Sequence, residues 1–204
     1  MAISNSISDF ILFLSSLLWI FGGNRRIADR ALQFRWHLFP ALIGLTAITG
    51  SLRFAGFDTF TPISSFFFYA GTTMGVIGLV FAILQSYEGK KAQVAFLILI
   101  VASAALFVGL LAGLPGWYGM LLQGPAILTI LILGLLQFRK NRTVAAFTLL
   151  ALLFLASSAL KGLVGQALAS GGIDLDKTGL NDLQHYMMAS AFVLFYLIVR
   201  KVSR

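Results

Sequence analysis

The sequence predicts an all-α membrane protein, a single bundle of seven transmembrane helices with the N-terminus outside and the C-terminus in the cytoplasm. Three observations carry that expectation. Hydrophobic residues make up 59% of the 204 and charged residues only 11%, with a mean hydropathy of +0.93, which leaves too little polar surface for a globule of this size to face water. The apolar residues gather into seven runs, each long enough to cross a hydrocarbon core that needs about 20 residues of helix. Finally, Lys and Arg sort by side: of fifteen, eleven fall in the gaps after spans one, three and five or in the C-terminal tail and Arg35 lies at the same end, one residue inside span two, which leaves only Arg53, Lys161 and Lys177 on the other side. The positive-inside rule assigns those gaps and the tail to the cytoplasm.

Span one, 7–23, has no basic residue before it and is followed directly by Arg25 and Arg26, the pattern of a retained helix rather than a cleaved signal. Span two, 34–54, carries Pro40, which should kink it, and the small pair Gly44 and Thr46, which should let a neighbour approach. Span three, 62–85, repeats that device at Gly71, Gly75 and Gly78; its Phe66-Phe67-Phe68 run reads as lipid-facing or interhelical filler. Span four, 92–113, has Ala102, Ser103 and Ala105 as packing residues and ends in the turn Gly113-Leu114-Pro115-Gly116, with Trp117 and Tyr118 at the depth of an aromatic belt. Span five is 116–138, with Pro125 inside it, and span six is 143–165. Before span seven, 180–199, the segment 166–179 has loop character and the length to fold as a lid over the outer mouth. No other connection is as long, so there is no room for a soluble domain, and short loops make sequential spans antiparallel neighbours.

Composition also excludes functions. The net charge of +8 sits at helix ends, where it suits anionic headgroups and membrane lipids rather than nucleic acid. The absence of Cys removes disulfides, thiolate metal sites, iron–sulfur clusters and a Cys nucleophile. Span seven has no lysine before Lys201, which argues against retinal. Spans one to three and five to seven share no matching Pro, Gly or charge positions, so the inverted repeats of many transporters are not visible.

Ionisable groups inside a bilayer are costly and mark functional positions by default. Here they collect at the outer ends. Asp9 opens span one, Thr49, Ser51 and Arg53 close span two, Lys161 and Gln166 close span six, and Asn181, Asp182, His185 and Tyr186 open span seven. Spacings of three and four put Asp182, His185 and Tyr186 on one helical face, so a polar ligand-binding pocket at the outer mouth is expected. A structural reading competes with it. Ser6 with Asp9, and Asn181 with Gln184, have the spacing of helix N-caps answered three residues later, and Lys161 is near enough to the interface to snorkel. Arg53 lies on the side poor in basic residues, so an acidic partner, Asp9 or Asp182, is expected beside it. His37, next to Trp36, reads as an interfacial anchor. It should lie roughly 20 Å along the normal from His185, too far to share a metal or a haem. The one set that could hold zinc is Asp9, Asp182 and His185; no metal and no cofactor is expected.

The segments Asn181-Asp182-Leu183-Gln184-His185-Tyr186 and Thr49-Gly50-Ser51-Leu52-Arg53 resemble those of small uncharacterised bacterial seven-helix membrane proteins. They are distantly similar to the superfamily of alkaline ceramidases and progestin/adiponectin-type receptors. That resemblance implies a zinc held by three ligands and used on lipid amides. In the corresponding pattern a Ser is followed four residues on by a His, and helix seven carries His-x-x-x-His; this chain has Thr49 and Arg53 in the first and His185 and Ala189 in the second. Two of the three ligands are therefore replaced, and Arg53 puts a fixed cation where the metal would sit. The resulting expectation is a multi-pass protein of the bacterial cytoplasmic (inner) membrane, non-catalytic, that binds a lipid, a small ligand or a partner membrane protein through its outer mouth. Two alternatives stand beside it: a hydrolase of lipid amides or esters with His185 as general base or single metal ligand and Asp182 orienting it, and a carrier in which Arg53 or Lys161 grips a small anion or metabolite.

Overall fold

The computed structural model describes residues 3–24, 27–89 and 92–202, and among them every regular element is helical. Arg25, Arg26, Lys90, Lys91 and Arg204, five of the basic residues behind the orientation expectation, lie outside the described residues. Helix α1 spans Ile3–Asn24 and α2 spans Arg30–Phe54. Asp29 starts α2, its Oδ1 accepting from the Ala31 and Leu32 amides at 2.9 and 3.3 Å, which satisfies donors that a helix start leaves open. The third span is composite: a 3-10 turn at Asp58–Phe60, α3 at Thr61–Ala70, a π turn at Gly71–Gly75 and α4 at Val76–Glu88. It stops at Gly89, whose φ of 66° needs the left-handed region that glycine enters without strain. Next come α5 (Gln93–Leu111), a 3-10 turn at Gly116–Gly119, α6 (Met120–Gln137), α7 (Arg142–Ala159), α8 (Lys161–Ser170) and α9 (Lys177–Val202).

Among the described residues six helical stretches have the length and apolarity to cross a membrane: Ile3–Gly23, Asp58–Glu88, Gln93–Leu111, Gly116–Gln137, Arg142–Ala159 and Lys177–Val202. The expected second span is a continuous 25-residue helix, α2, but is not among them. Its packing explains why. Neighbours α1, α3 and α4 surround it, and most of its residues are buried or half-buried. A helix wrapped by protein need not be apolar all round, and α2 carries Arg35, His37, Thr46, Thr49, Ser51 and Arg53. At the other extreme α5 leaves Val94, Ile98, Val101 and Val108 each more than 60% exposed, a face fit for lipid.

Close approach to α2 requires small residues. A Cβ on Gly71 would meet Ile43 Cδ1 at 2.7 Å, and one on Gly75 would meet the Phe39 Cα at 3.1 Å; these glycines and Gly44, against Ser16, are packing positions as expected. The core centres on an aromatic cluster. Trp19 stacks on Phe195 at 5.0 Å and meets Phe192 edge-on at 5.1 Å and Trp36 at 6.0 Å, geometries that favour the ring quadrupoles.

Hydrogen bonds fix which helix ends lie together. Ser6 pairs with Ser51, and Lys161 with Asn181, bringing the start of α1, the end of α2 and the starts of α8 and α9 to one end of the bundle. Gln85 bonds Asp29, and Lys140 bonds Glu88, at the other. At that second end Arg35 departs from expectation. It is not a headgroup anchor: it is 3% exposed, donates to Gln85 Oε1 at 2.6 Å and lies over the Phe96 ring at 4.5 Å. Guanidinium tolerates such burial because its fork can be bonded while its plane stacks on a ring.

Candidate functional site

Buried polar residues of α1 recur as Asn5, Ser8, Asp9, Ser15 and Ser16, spacings that keep them on one helical face. The outer turns of that face meet α9. Ser8 Oγ, with Ser8 fully buried, lies 2.6 Å from Asp182 Oδ1 and 2.9 Å from His185 Nδ1. Ser4 also donates to Asp182, and the Asn5 amide, oriented so that its nitrogen faces acceptors, donates to Asp182 Oδ1 at 2.8 Å and to the Thr178 carbonyl at 3.1 Å. Asp9 Oδ1 is 3.4 Å from His185 Nδ1. A hydroxyl has one proton to give, and the short contact with the carboxylate takes it. Ser8 therefore accepts from Nδ1–H, and neutral His185 keeps Nε2 as an acceptor, with no protein partner among the described residues.

Above this node is a cleft of about 350 Å³ lined by Asp9, Arg53, Lys161, Lys177, Asn181 and His185 together with Gly50, Ser64, Tyr69 and Gln184. Gly50 keeps Asp9 in place, since a Cβ there would lie 2.5 Å from Asp9 Oδ2. Lys161 Nζ donates to Asn181 Oδ1 at 2.8 Å. The expected direct ion pair of Arg53 with Asp9 or Asp182 does not form. Arg53 instead lies over the Phe54 ring at 4.4 Å and faces Asp9 across the cleft, while Asp182 spends its lone pairs on Ser4, Ser8 and Asn5. Among the described residues no three His, Asp or Glu side chains converge to hold a metal ion.

Of the residues expected at the site, Asp9, Arg53, Lys161, Asn181 and His185 line the cleft and Asp182 lies beneath it. The other three are placed differently. Thr49 bonds back to the Leu45 carbonyl at 2.7 Å, Ser51 pairs with Ser6, and Tyr186 is 42% exposed and off the cleft wall. The capping reading is also corrected. α1 begins at Ile3, so Ser6 and Asp9 are interior, and α9 begins at Lys177 with Asp176 Oδ1 accepting the Gly179 amide at 2.7 Å, so Asn181 and Asp182 are a turn inside. Nor is 166–179 all loop: it is α8 as far as Ser170, where Gln166 is exposed and Gly165 abuts Leu180. His37 Nε2, rather than reaching the interface, is buried without a partner.

Next to the cleft a second cavity of about 390 Å³ opens, lined mostly by apolar side chains, among them Phe39, Ile43, Leu79, Ala126, Ile130 and Met188, with Thr72, Gln123 and Ser158 as polar exceptions. Phe68, Tyr69, Lys161 and Gln184 line both spaces. In comparisons with family models, curated proteins and solved structures, the chain matches none.

Proposed function

We propose that this is a seven-span protein of the bacterial inner membrane, with α2 as a protein-enclosed second span and the cleft at the outer face, and that it binds a lipid or lipid-like ligand rather than transforming it. The observation that supports this reading is the sharing of Phe68, Tyr69, Lys161 and Gln184 by a polar cleft and an apolar cavity. Ligand sites are mostly apolar concavities with a few converging polar groups, and here the two kinds of lining meet end to end. The test is retention of lipid. Protein purified in detergent and stripped of bulk lipid should keep a lipid in near-stoichiometric amount by mass analysis, while Ala126→Phe, which fills the cavity from its wall, should lose it. Equal retention by both proteins would remove the reading.

One observation favours a second reading. With Nδ1 engaged by Ser8 and Asp9, His185 presents Nε2 to the cleft, the arrangement of a general base acting on water. A serine-nucleophile mechanism finds no support, because Ser8 and Asp9 share Nδ1 whereas a triad places its serine on Nε2 and its carboxylate on Nδ1. Purified protein releasing fatty acid from acyl amides or esters, with loss of that release in His185→Asn, would establish the hydrolase; no release above the variant would dismiss it.

A further inference from the structure

We propose that the ligand is a single-chain anionic amphiphile, its charged end in the cleft, an ester or amide linkage at Ser158 and its tail in the apolar cavity. The proposal rests on the binding reading above and deepens it. Three cations, Arg53, Lys161 and Lys177, line the cleft against one carboxylate, Asp9. None of the three makes an ion pair among the described residues: Arg53 stacks on Phe54, and Lys161 bonds the neutral Asn181. The other nearby carboxylate, Asp182, is engaged beneath by Ser4, Ser8 and Asn5. An anion entering this cleft meets uncompensated positive charge in a partly desolvated site, where charge-assisted bonds are strongest.

Ser158 supplies the second, independent observation. It lines the apolar cavity, is 1% exposed, and its Oγ has no hydrogen-bond partner. Elsewhere on the same helix Thr148 satisfies its hydroxyl on the Val144 carbonyl at 2.8 Å. A buried hydroxyl left open is unfavourable unless something in the cavity bonds it. Ser158 and Lys161 both line the cavity, so a carbonyl a few atoms from an anionic head would lie beside Ser158, whose enclosed Oγ reaches it by a change of χ1 rotamer, and the chain beyond would run along Phe39, Ile43, Leu79 and Ile130. At about 390 Å³ the cavity is at the small end of ligand pockets, which run to about 1,000 Å³; one chain fits this size better than two.

The test is equilibrium binding of tritiated probes to the full-length protein in detergent: oleoyl-lysophosphatidic acid, oleoylglycine, oleoyl-lysophosphatidylcholine and the ether-linked analogue of the first. The two anions should bind at least about tenfold more tightly than the zwitterion, a preference set by electrostatic complementarity. Arg53→Gln and Lys177→Gln should each erode that preference, and because Lys177 is exposed its variant keeps the test valid if Arg53→Gln does not fold. Ser158→Ala should remove the advantage of ester over ether. Phosphate favoured over carboxylate, or the reverse, supports the proposal and names the head. Equal binding of the zwitterion, indifferent to both charge variants, overturns the anionic assignment while leaving the binding reading in place. Absence of binding of every probe, together with lipid retention unaltered by Ala126→Phe, overturns both.

Discussion

Replacing Ser8 by Ala removes one oxygen and tests whether the polar node joins the first helix to the last. The magnitude follows from what that oxygen touches. Its bond to Asp182 Oδ1 at 2.6 Å is to a charged acceptor, a class that contributes about 1.5–3 kcal/mol, and its contact with His185 Nδ1 at 2.9 Å is of the neutral kind, about 0.5–1.5 kcal/mol. Asp182 retains Ser4 and Asn5, so it is weakened rather than orphaned, and the expected loss is about 2–4 kcal/mol. Ser6→Ala is the control. It deletes a hydroxyl of the same helix that is only half-buried and bonds Ser51, and should cost about 0.5–1.5 kcal/mol. Unfolding in mixed micelles, followed by tryptophan emission from the buried Trp19 and Trp36, measures both. A cycle of Ser8→Ala with Asp182→Asn should give a coupling of about 1 kcal/mol or more, as for residues in one network. If Ser8→Ala costs no more than Ser6→Ala, the node does not hold the helices together and the site built on it loses its support.

Gly50→Ala should be worse than an ordinary exposed Gly→Ala change in a helix, because the new Cβ lies 2.5 Å from Asp9 Oδ2; a loss of about 1–3 kcal/mol from overpacking is expected, and truncation of the obstacle in Gly50→Ala/Asp9→Ala should restore part of it, with no restoration refuting the steric account. For topology, the absence of native Cys makes single-cysteine labelling clean: positions in 24–33, 86–91, 139–142 and the C-terminal tail should be protected from an impermeant reagent in intact cells, and labelling of the tail from outside would reverse the orientation.

Apolar runs and the charged gaps between them were readable because both are properties of local sequence. Burial against other protein is not: 34–54 reads as a span like the others, and only the structure shows that α2 is packed among α1, α3 and α4 and so can carry more polar residues than a lipid-facing helix. Arg35 shows the same blindness, since nothing in its neighbourhood announces Gln85 and Phe96, distant in sequence, as its partners. Asp9, Arg53, Asp182 and His185 were legible as ionisable groups at one depth. Their detailed pairing was not, because Ser8 decided it. A signal for Ser8 did exist in the spacing of Asn5, Ser8, Asp9, Ser15 and Ser16 along one face of α1, which marks a helix turning polar atoms inward. Ser158 had none; an unpartnered hydroxyl is visible only once its surroundings are known.

Where the bundle is open and where it is closed bears on which function it can serve. Trp19 follows Asp9 by ten residues, about 15 Å of helix rise, and with Phe192, Phe195 and Trp36, all at 0–1% exposure, it closes the core between the cleft and the end that carries Arg35. A carrier that passes a ligand straight through would have to repack those rings, and their edge-on and stacked contacts would be lost in the process. A protein that takes a ligand from one face and returns it there needs no such motion. A break in α-helical hydrogen bonding lies beside the apolar cavity: the π turn Gly71–Gly75, from which Thr72 lines the cavity wall. Single π turns concentrate at functional sites because the extra residue per turn leaves a carbonyl and an amide less firmly engaged. The turn is nonetheless tied to the closure, since Gly75 abuts Phe39, whose ring meets Phe192 edge-on at 5.7 Å; a change confined to Thr72 and the cavity wall would let an amphiphile enter and leave from the cleft side while those rings hold the other end of the bundle shut.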